Sequence, residues 1–285
     1  RCDARRTLYE RWTRLRVSFQ RREAHQTQLG NIRTYVCNKR RCRVRVLGNI
    51  LVRNAQFLRG KIIMNFNQAI NERHSVRQYI DKPISDDLKA RLSEYVAEQN
   101  KESGLHIQVI FDEPQAFNCF MADYGSFKNV TNYIALVGKN DDKLDEKCGY
   151  YGEKIVLFAQ TLGLNTCWVG MSYSKSKAQF AVSKGEKLCL MIALGYGENQ
   201  GKPHKSKSYE QVVKSTLSTP DWFKKGITAA LLAPTAINQQ KFTFFYDGKS
   251  VWAKAGLGFF SKVDLGIVKA HFEIGAGIEN VVWKA

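Results

Sequence analysis

Gly163-Leu164-Asn165-Thr166-Cys167-Trp168-Val169-Gly170 is the stretch that decides the fold of this chain. Ahead of it, Ile155, Phe158, Ala159 and Leu162 recur at helical spacing, which predicts a helix over residues 150–162. Gly163 lets the chain leave that helix, and 165–170 reads as an extended segment that ends in another glycine. A helix that stops and runs straight into a strand calls for a mixed architecture.

Working outward, 187–196 is apolar on both faces, as a central strand must be, and 133–138 is β-branched and apolar. Residues 105–111 alternate as a further strand. Helices are expected over 65–73 and from Ser85-Asp86-Asp87 to about 98, the second with Leu88, Leu92 and Tyr95 on one face. Downstream, 209–214 reads as a short helix, Pro220 opens a helix over 222–232, and 241–246 with 251–255 bracket the turn Asp247-Gly248-Lys249 as a hairpin. A helix over 264–276 and a strand over 279–283 complete an α+β chain. The element order in 220–285 echoes that in 65–200, which suggests two diverged halves, 64–215 and 216–285.

The chain has 285 residues, 44% hydrophobic and 12% aromatic, which excludes a disordered or collagen-like polymer. No run approaches the ~18 apolar residues of a membrane span. The net charge of +18 suggests a nucleic-acid partner until its distribution is seen. Residues 1–63 carry 17 basic residues, 15 of them Arg, against Asp3, Glu10 and Glu23; residues 64–285 carry 27 basic and 23 acidic residues, with Arg only at 73, 77 and 91. The basic segment has three readings: an arm that binds nucleic acid, an Arg-rich transit peptide, or translated sequence upstream of a true start at Met64. The abrupt change from Arg to Lys favours the third. Cys2, Cys37 and Cys42 lie in that segment, and Cys119, Cys148, Cys167 and Cys189 are too widely spaced for a Cys-x-x-Cys metal site. The expectation is reduced thiols, no metal and a cytoplasmic protein.

Four constellations carry chemistry. Arg73-His74-Ser75-Val76-Arg77 places two guanidiniums and a hydroxyl at alternate positions, able to converge on one phosphate if the chain is extended. Trp168-Val169-Gly170 offers an aromatic ring and a backbone that a flat ligand can approach. Ala233-Pro234-Thr235-Ala236-Ile237-Asn238-Gln239-Gln240 supplies amides suited to a heterocycle edge, and Lys202, Lys205 and Lys207 form a basic loop. Each alone reads more readily as ordinary structure: a solvated helix end, a core tryptophan, turn chemistry or a surface charge run.

Taken together and in this order, Arg73-x-Ser75-x-Arg77-x-Tyr79, Gly163-Leu164-x-Thr166-Cys167-Trp168-Val169-Gly170, Leu194-Gly195-Tyr196-Gly197 with the basic loop, and Ala233-Pro234-Thr235-x-x-Asn238-x-Gln240 resemble the nitroreductase-like flavoproteins over about 64–285. The resemblance implies a nitroreductase-like α+β fold around a central sheet, non-covalent FMN and a reduced nicotinamide donor, NADH or NADPH. It implies that Arg73, Ser75 and Arg77, helped by Lys205 and Lys207, hold the FMN phosphate and ribityl chain. Trp168, Val169 and Gly170 would then lie along the isoalloxazine with one backbone N–H reaching N5, and Pro234, Thr235, Asn238 and Gln240 would cover the other side. In typical members the Ala-Pro-Ser/Thr loop follows soon after the first motif and serves a partner subunit. Here 95–104 lacks it, which points to the fused, single-chain variety, a pseudo-dimer with one flavin site and a monomeric state. The implied activity is transfer of electrons from NAD(P)H to a small acceptor such as a nitroaromatic or quinone. The alternatives are a flavin-binding or sensing protein without turnover, and nucleic-acid binding through 1–63.

Overall fold

Asn65 opens the first helix, its side chain accepting from the backbone N–H of Gln68 at 2.9 Å. The computed structural model describes residues 65–284; the basic segment 1–63 and the readings attached to it lie outside the described residues. Helix α1 (Phe66–Glu72) ends where Arg73 turns extended, at φ −72° and ψ 119°. Helix α2 (Asp86–Ser103) has Asp86 and Asp87 in its first turn, where the helix dipole favours them, and runs to a left-handed Gly104. Then come β1 (Gln108–Ile110), a 3-10 turn (Gln115–Phe117), α3 (Phe120–Tyr124), β2 (Asn132–Lys139), α4 (Leu144–Thr161), β3 (Asn165–Val169) and β4 (Glu186–Gly195). After these follow α5 (Tyr209–Val212), β5 (Val213–Lys214), α6 (Asp221–Ala230), a 3-10 turn (Ala236–Asn238), β6 (Phe242–Tyr246), β7 (Val251–Ala255), α7 (Ser261–Ala276) and a 3-10 turn (Ile278–Asn280).

The first sheet is antiparallel throughout, in the order β1-β2-β4-β3, with Ala193 of β4 opposite Tyr133 on one side and Cys167 on the other. Strand β4 is therefore interior, as its apolar faces require. Along β2, Ile134 and Leu136 enter one core cluster while Tyr133, Ala135 and Val137 enter another on the opposite face. A sheet buried on both faces explains why its strands are apolar without strict alternation. The second sheet has three strands, β5-β6-β7, with β5 parallel to β6 and the hairpin β6–β7 in the expected place. The repeated element order thus does not extend to matching sheets. The larger core cluster joins Ile134 and Ile192 to Phe223 of α6, Phe244 of β6 and Phe272 of α7. Each such side chain contributes roughly 1.5–3 kcal/mol by burial.

Helices α4 and α7 cross backbone to backbone. A Cβ on Gly149 would stand 2.0 Å from the Val263 carbonyl oxygen, and one on Gly266 would stand 2.0 Å from the Glu146 carbonyl oxygen. Only glycine fits on each side of this crossing.

Some expected boundaries change. Helix α4 starts at Leu144, six residues before the expected 150, because Leu144 is buried and Asp145 and Glu146 suit its first turn. The expected helix 209–214 divides into one turn of α5, fixed by a Ser208–Gln211 capping box, and the two residues of β5. The expected strand 279–283 is instead a 3-10 turn after Gly277 (φ +79°), and only Trp283 makes a bridge, parallel to Val251. No helix of the described residues is long and apolar enough to cross a membrane.

Candidate active site

The segment that leaves α1 is extended and lies along β3. Ser75 bridges Thr166 in parallel, and the Val76 N–H donates to the Thr166 carbonyl at 3.0 Å. Since β3 is the last strand of its sheet, this segment caps an otherwise open edge. Extension puts residues 73, 75 and 77 on a common side, and all three act on the buried Cys167 thiol. Burial pushes that thiol up, opposed by Arg77, by a hydrogen bond from Ser75 and by Arg73. The three side chains of the motif are thus brought near one buried group, the Cys167 thiol.

Arg73 is only 3% exposed, and its Nε, 3.8 Å from Glu153 Oε1, has no hydrogen-bond partner among the described residues. Burial lowers its pKa and the Glu153 carboxylate opposes that shift. Glu153 is fully buried on α4 and accepts from the Trp168 indole Nε1 at 2.8 Å. The indole is tied to α4, and its six-membered ring packs where a Cβ on Gly152 would come within 2.6 Å. Val169 is buried in the core of the sheet and offers only its backbone. Gly170 faces the Phe260 ring, 2.7 Å from the place a Cβ would take.

The basic loop and the 233–240 loop are laced together. The Lys205 carbonyl accepts from Asn238 Nδ2 at 3.0 Å and from Gln240 Nε2 at 2.8 Å. Lys207 donates its backbone N–H to Gln240 Oε1 at 2.9 Å and its Nζ to the Gln240 carbonyl at 2.7 Å. Thr235 Oγ1 accepts the Gln240 N–H, and Pro234 is buried behind it. The amides of Asn238 and Gln240 therefore serve first to hold the loop. Its backbone is strained: Ile237, Asn238 and Gln240 have φ of 47°, 55° and 44°, and Ile237 is a β-branched residue with 96% of its surface exposed. Asp264, in the first turn of α7, clasps the loop by accepting from the Ala236 N–H at 3.0 Å and from Gln239 Nε2 at 2.7 Å. Burial raises the Asp264 carboxyl to about 6 despite those two donors.

These pieces close into a ring. His74 packs on Gly201 at the head of the basic loop, and burial, Arg73 and His204 lower its pKa in that order. His204 Nε2 and Ser206 Oγ both meet the Leu231 carbonyl, which leads to 233–240. Gln239 Nε2 also donates to the Phe259 carbonyl, and Phe260 returns the path to Gly170. Among the described residues, none of Arg77, Lys202, Lys205 and Lys207 forms an ion pair. These four cations leave the surround with positive charge that no ion pair among the described residues offsets, although Arg73 faces Glu153. A separate cleft of about 290 Å³ lies along α4, lined by Lys143, Glu146, Lys147, Tyr150 and Tyr151. No motif residue lines it.

Sequence reasoning missed Glu153, His271, Asp264, His74 and His204 as parts of this surround. The available signal was a charged residue on the buried stripe of a helix: Glu153 among Val156, Leu157 and Gln160 on α4, and His271 among Val268, Phe272 and Ile267 on α7.

Comparison with one solved structure supports the assignment of fold. A "putative nitroreductase" of Thermotoga maritima superposes with a TM-score of 0.56 at 20% identity, over 78% of this chain and 88% of that one. An "FMN-dependent nitroreductase" of Clostridium difficile gives 0.38 at 17% identity, over 50% and 92%. A "putative nitroreductase in complex with FMN" of Desulfovibrio desulfuricans gives 0.39 at 19%, over 54% and 96%. No curated protein matches the chain in sequence. The family model described as "Putative TM nitroreductase" matches residues 65–276, and with this fold and this ring of motifs the chain belongs to that nitroreductase family.

Proposed function

We propose that the chain is an FMN-dependent oxidoreductase that takes electrons from NADH or NADPH and passes them to a small acceptor such as a nitroaromatic or quinone. The observation that carries this reading is the Arg73 guanidinium, buried beside a cluster of cations and with an Nε that no acceptor among the described residues satisfies. Buried donors are almost always paired, so an orphan at this place fits an acceptor from a ligand. A phosphate monoester supplies it, and Ser75, Arg77, Lys205 and Lys207 add donors and charge around it. Backbone at 168–170 and the loop containing Pro234, Thr235, Asn238 and Gln240 bound the place for a flat ring. FMN, when bound, supplies the hydride and electron transfer that the protein's own side chains do not. The residues of the chain bind, orient and neutralise.

Because the ring closes within one chain, the reading includes one flavin site per chain and a monomer. The test is a visible spectrum of the purified full-length chain with added FMN, before and after anaerobic NADH or NADPH. A protein-bound flavin spectrum that bleaches is the expected result. A bound flavin that stays oxidised refutes the oxidoreductase reading in favour of a flavin-binding protein, and failure to take up FMN refutes the flavin itself.

A further inference from the structure

Glu153 is the most heavily engaged buried carboxylate near the ring, although it belongs to none of the motifs. It lies on α4, 0% exposed, and meets three other elements. Trp168 Nε1 of β3 donates to Oε2 at 2.8 Å; His271 Nε2 of α7 is 2.8 Å from Oε1; Arg73 Nε, just past α1, is 3.8 Å from Oε1. His271 is itself fully buried, and its Nδ1 donates to the Ala229 carbonyl at the end of α6, at 3.0 Å. A carboxylate so placed fixes both the guanidinium at the phosphate end and the indole beside the ring end of the proposed site. At 3.8 Å it holds the charge of Arg73 without saturating its donors, so the guanidinium remains available to an anion.

We infer that Glu153 is a positioning residue that aims the Arg73 guanidinium at the phosphate of the bound flavin nucleotide and locks Trp168 against α4. The inference rests on the flavin reading, and its test separates the two. Glu153→Gln keeps size and an acceptor for the indole but removes the charge facing Arg73. Another buried carboxylate, Glu113, which accepts from Tyr133 Oη and from the N–H groups of Gln115 and Ala116, serves as the structural comparison in Glu113→Gln. Dissociation constants for FMN and for riboflavin, which lacks the phosphate, are measured on the full-length chain by flavin fluorescence.

Glu153→Gln is expected to weaken FMN about tenfold or more while changing riboflavin less than about threefold, since the loss falls on the charge-assisted contact to phosphate. Glu113→Gln is expected to leave the FMN-to-riboflavin ratio unchanged. An unchanged ratio in Glu153→Gln, an equal loss for both ligands, or the same fall in ratio with Glu113→Gln overturns the inference. Wild-type protein that binds neither ligand refutes the flavin reading instead. Should Glu153→Gln not fold, Trp168→Phe removes one restraint on the carboxylate and leaves every charge in place. The ratio is then expected to fall about threefold, and a constant ratio overturns the inference.

Discussion

Asp264 couples the strained loop to pH, and Asp264→Asn is the perturbation that exposes the coupling. In the folded chain its carboxyl is raised from 3.8 to about 6 because desolvation outweighs the donors from Ala236 and Gln239. A folded pKa above the unfolded one means that the native state holds the proton more tightly. The resulting stability is fully present below about pH 4 and is lost as pH rises through about 6. The whole effect is about 3 kcal/mol, from a shift of roughly two units at 1.36 kcal/mol each, and about 2 kcal/mol of it falls between pH 4 and pH 7. Asparagine does not ionise, so the variant lacks this loss. It also offers one acceptor where the carboxylate offers two, a cost of about 1–3 kcal/mol that does not vary with pH. The assay is urea unfolding of both proteins at intervals from pH 4 to pH 7.5, read as the difference between them at each pH. That double difference cancels the lost hydrogen bond and every other carboxylate. The variant is expected to gain about 2 kcal/mol on the wild type across the interval. Parallel stability curves would refute the account of Asp264.

Gly149→Ala and Gly266→Ala each drive a methyl to 2.0 Å from a backbone carbonyl oxygen, and each should cost about 3 kcal/mol or more. Gly163→Ala meets no atom within 4 Å and pays only for its φ of +78°, so it should cost about 1–2 kcal/mol; thermal unfolding of the three variants checks the ranking. Ile237→Gly removes a β-branched side chain from left-handed backbone where almost nothing covers it. A gain of about 1 kcal/mol in urea unfolding is expected, and a net loss would mean that the side chain is held by contacts the structure does not show.

The sequence patterns that proved readable are those governed by local periodicity. Ile155, Phe158, Ala159 and Leu162 announced the later part of α4, the apolar run of β4 announced an interior strand, and Asp247-Gly248-Lys249 announced the β6–β7 hairpin. What escaped was set by partners far along the chain. Gly149 and Gly152 carry no signal in the periodicity, yet Val263 and Trp168 are what select glycine there. Val281, Val282 and Trp283 have the composition of a strand, but Gly277 turns the chain after α7 and leaves them a single bridge. For the site, the residue types at 73–77 and 233–240 pointed to a ligand surround. The use of Asn238 and Gln240 amides to grip Lys205 was not legible, because it depends on a neighbour some thirty residues away. Glu153 and His271 were hidden for the same reason: a charge on a buried helix face has meaning only once its counterparts on other elements are known.

The bridge between Ser75 and Thr166 gives one short segment two duties. The residues that present Arg73 and Arg77 also hem the last strand of the first sheet, so the proposed ligand, by steadying them, would steady the hem. Damage to this segment then cannot stay confined to recognition. A chain that loses its grip here also uncovers a strand edge on which another chain can template, and poor ligand retention and self-association would arise together from the same lesion.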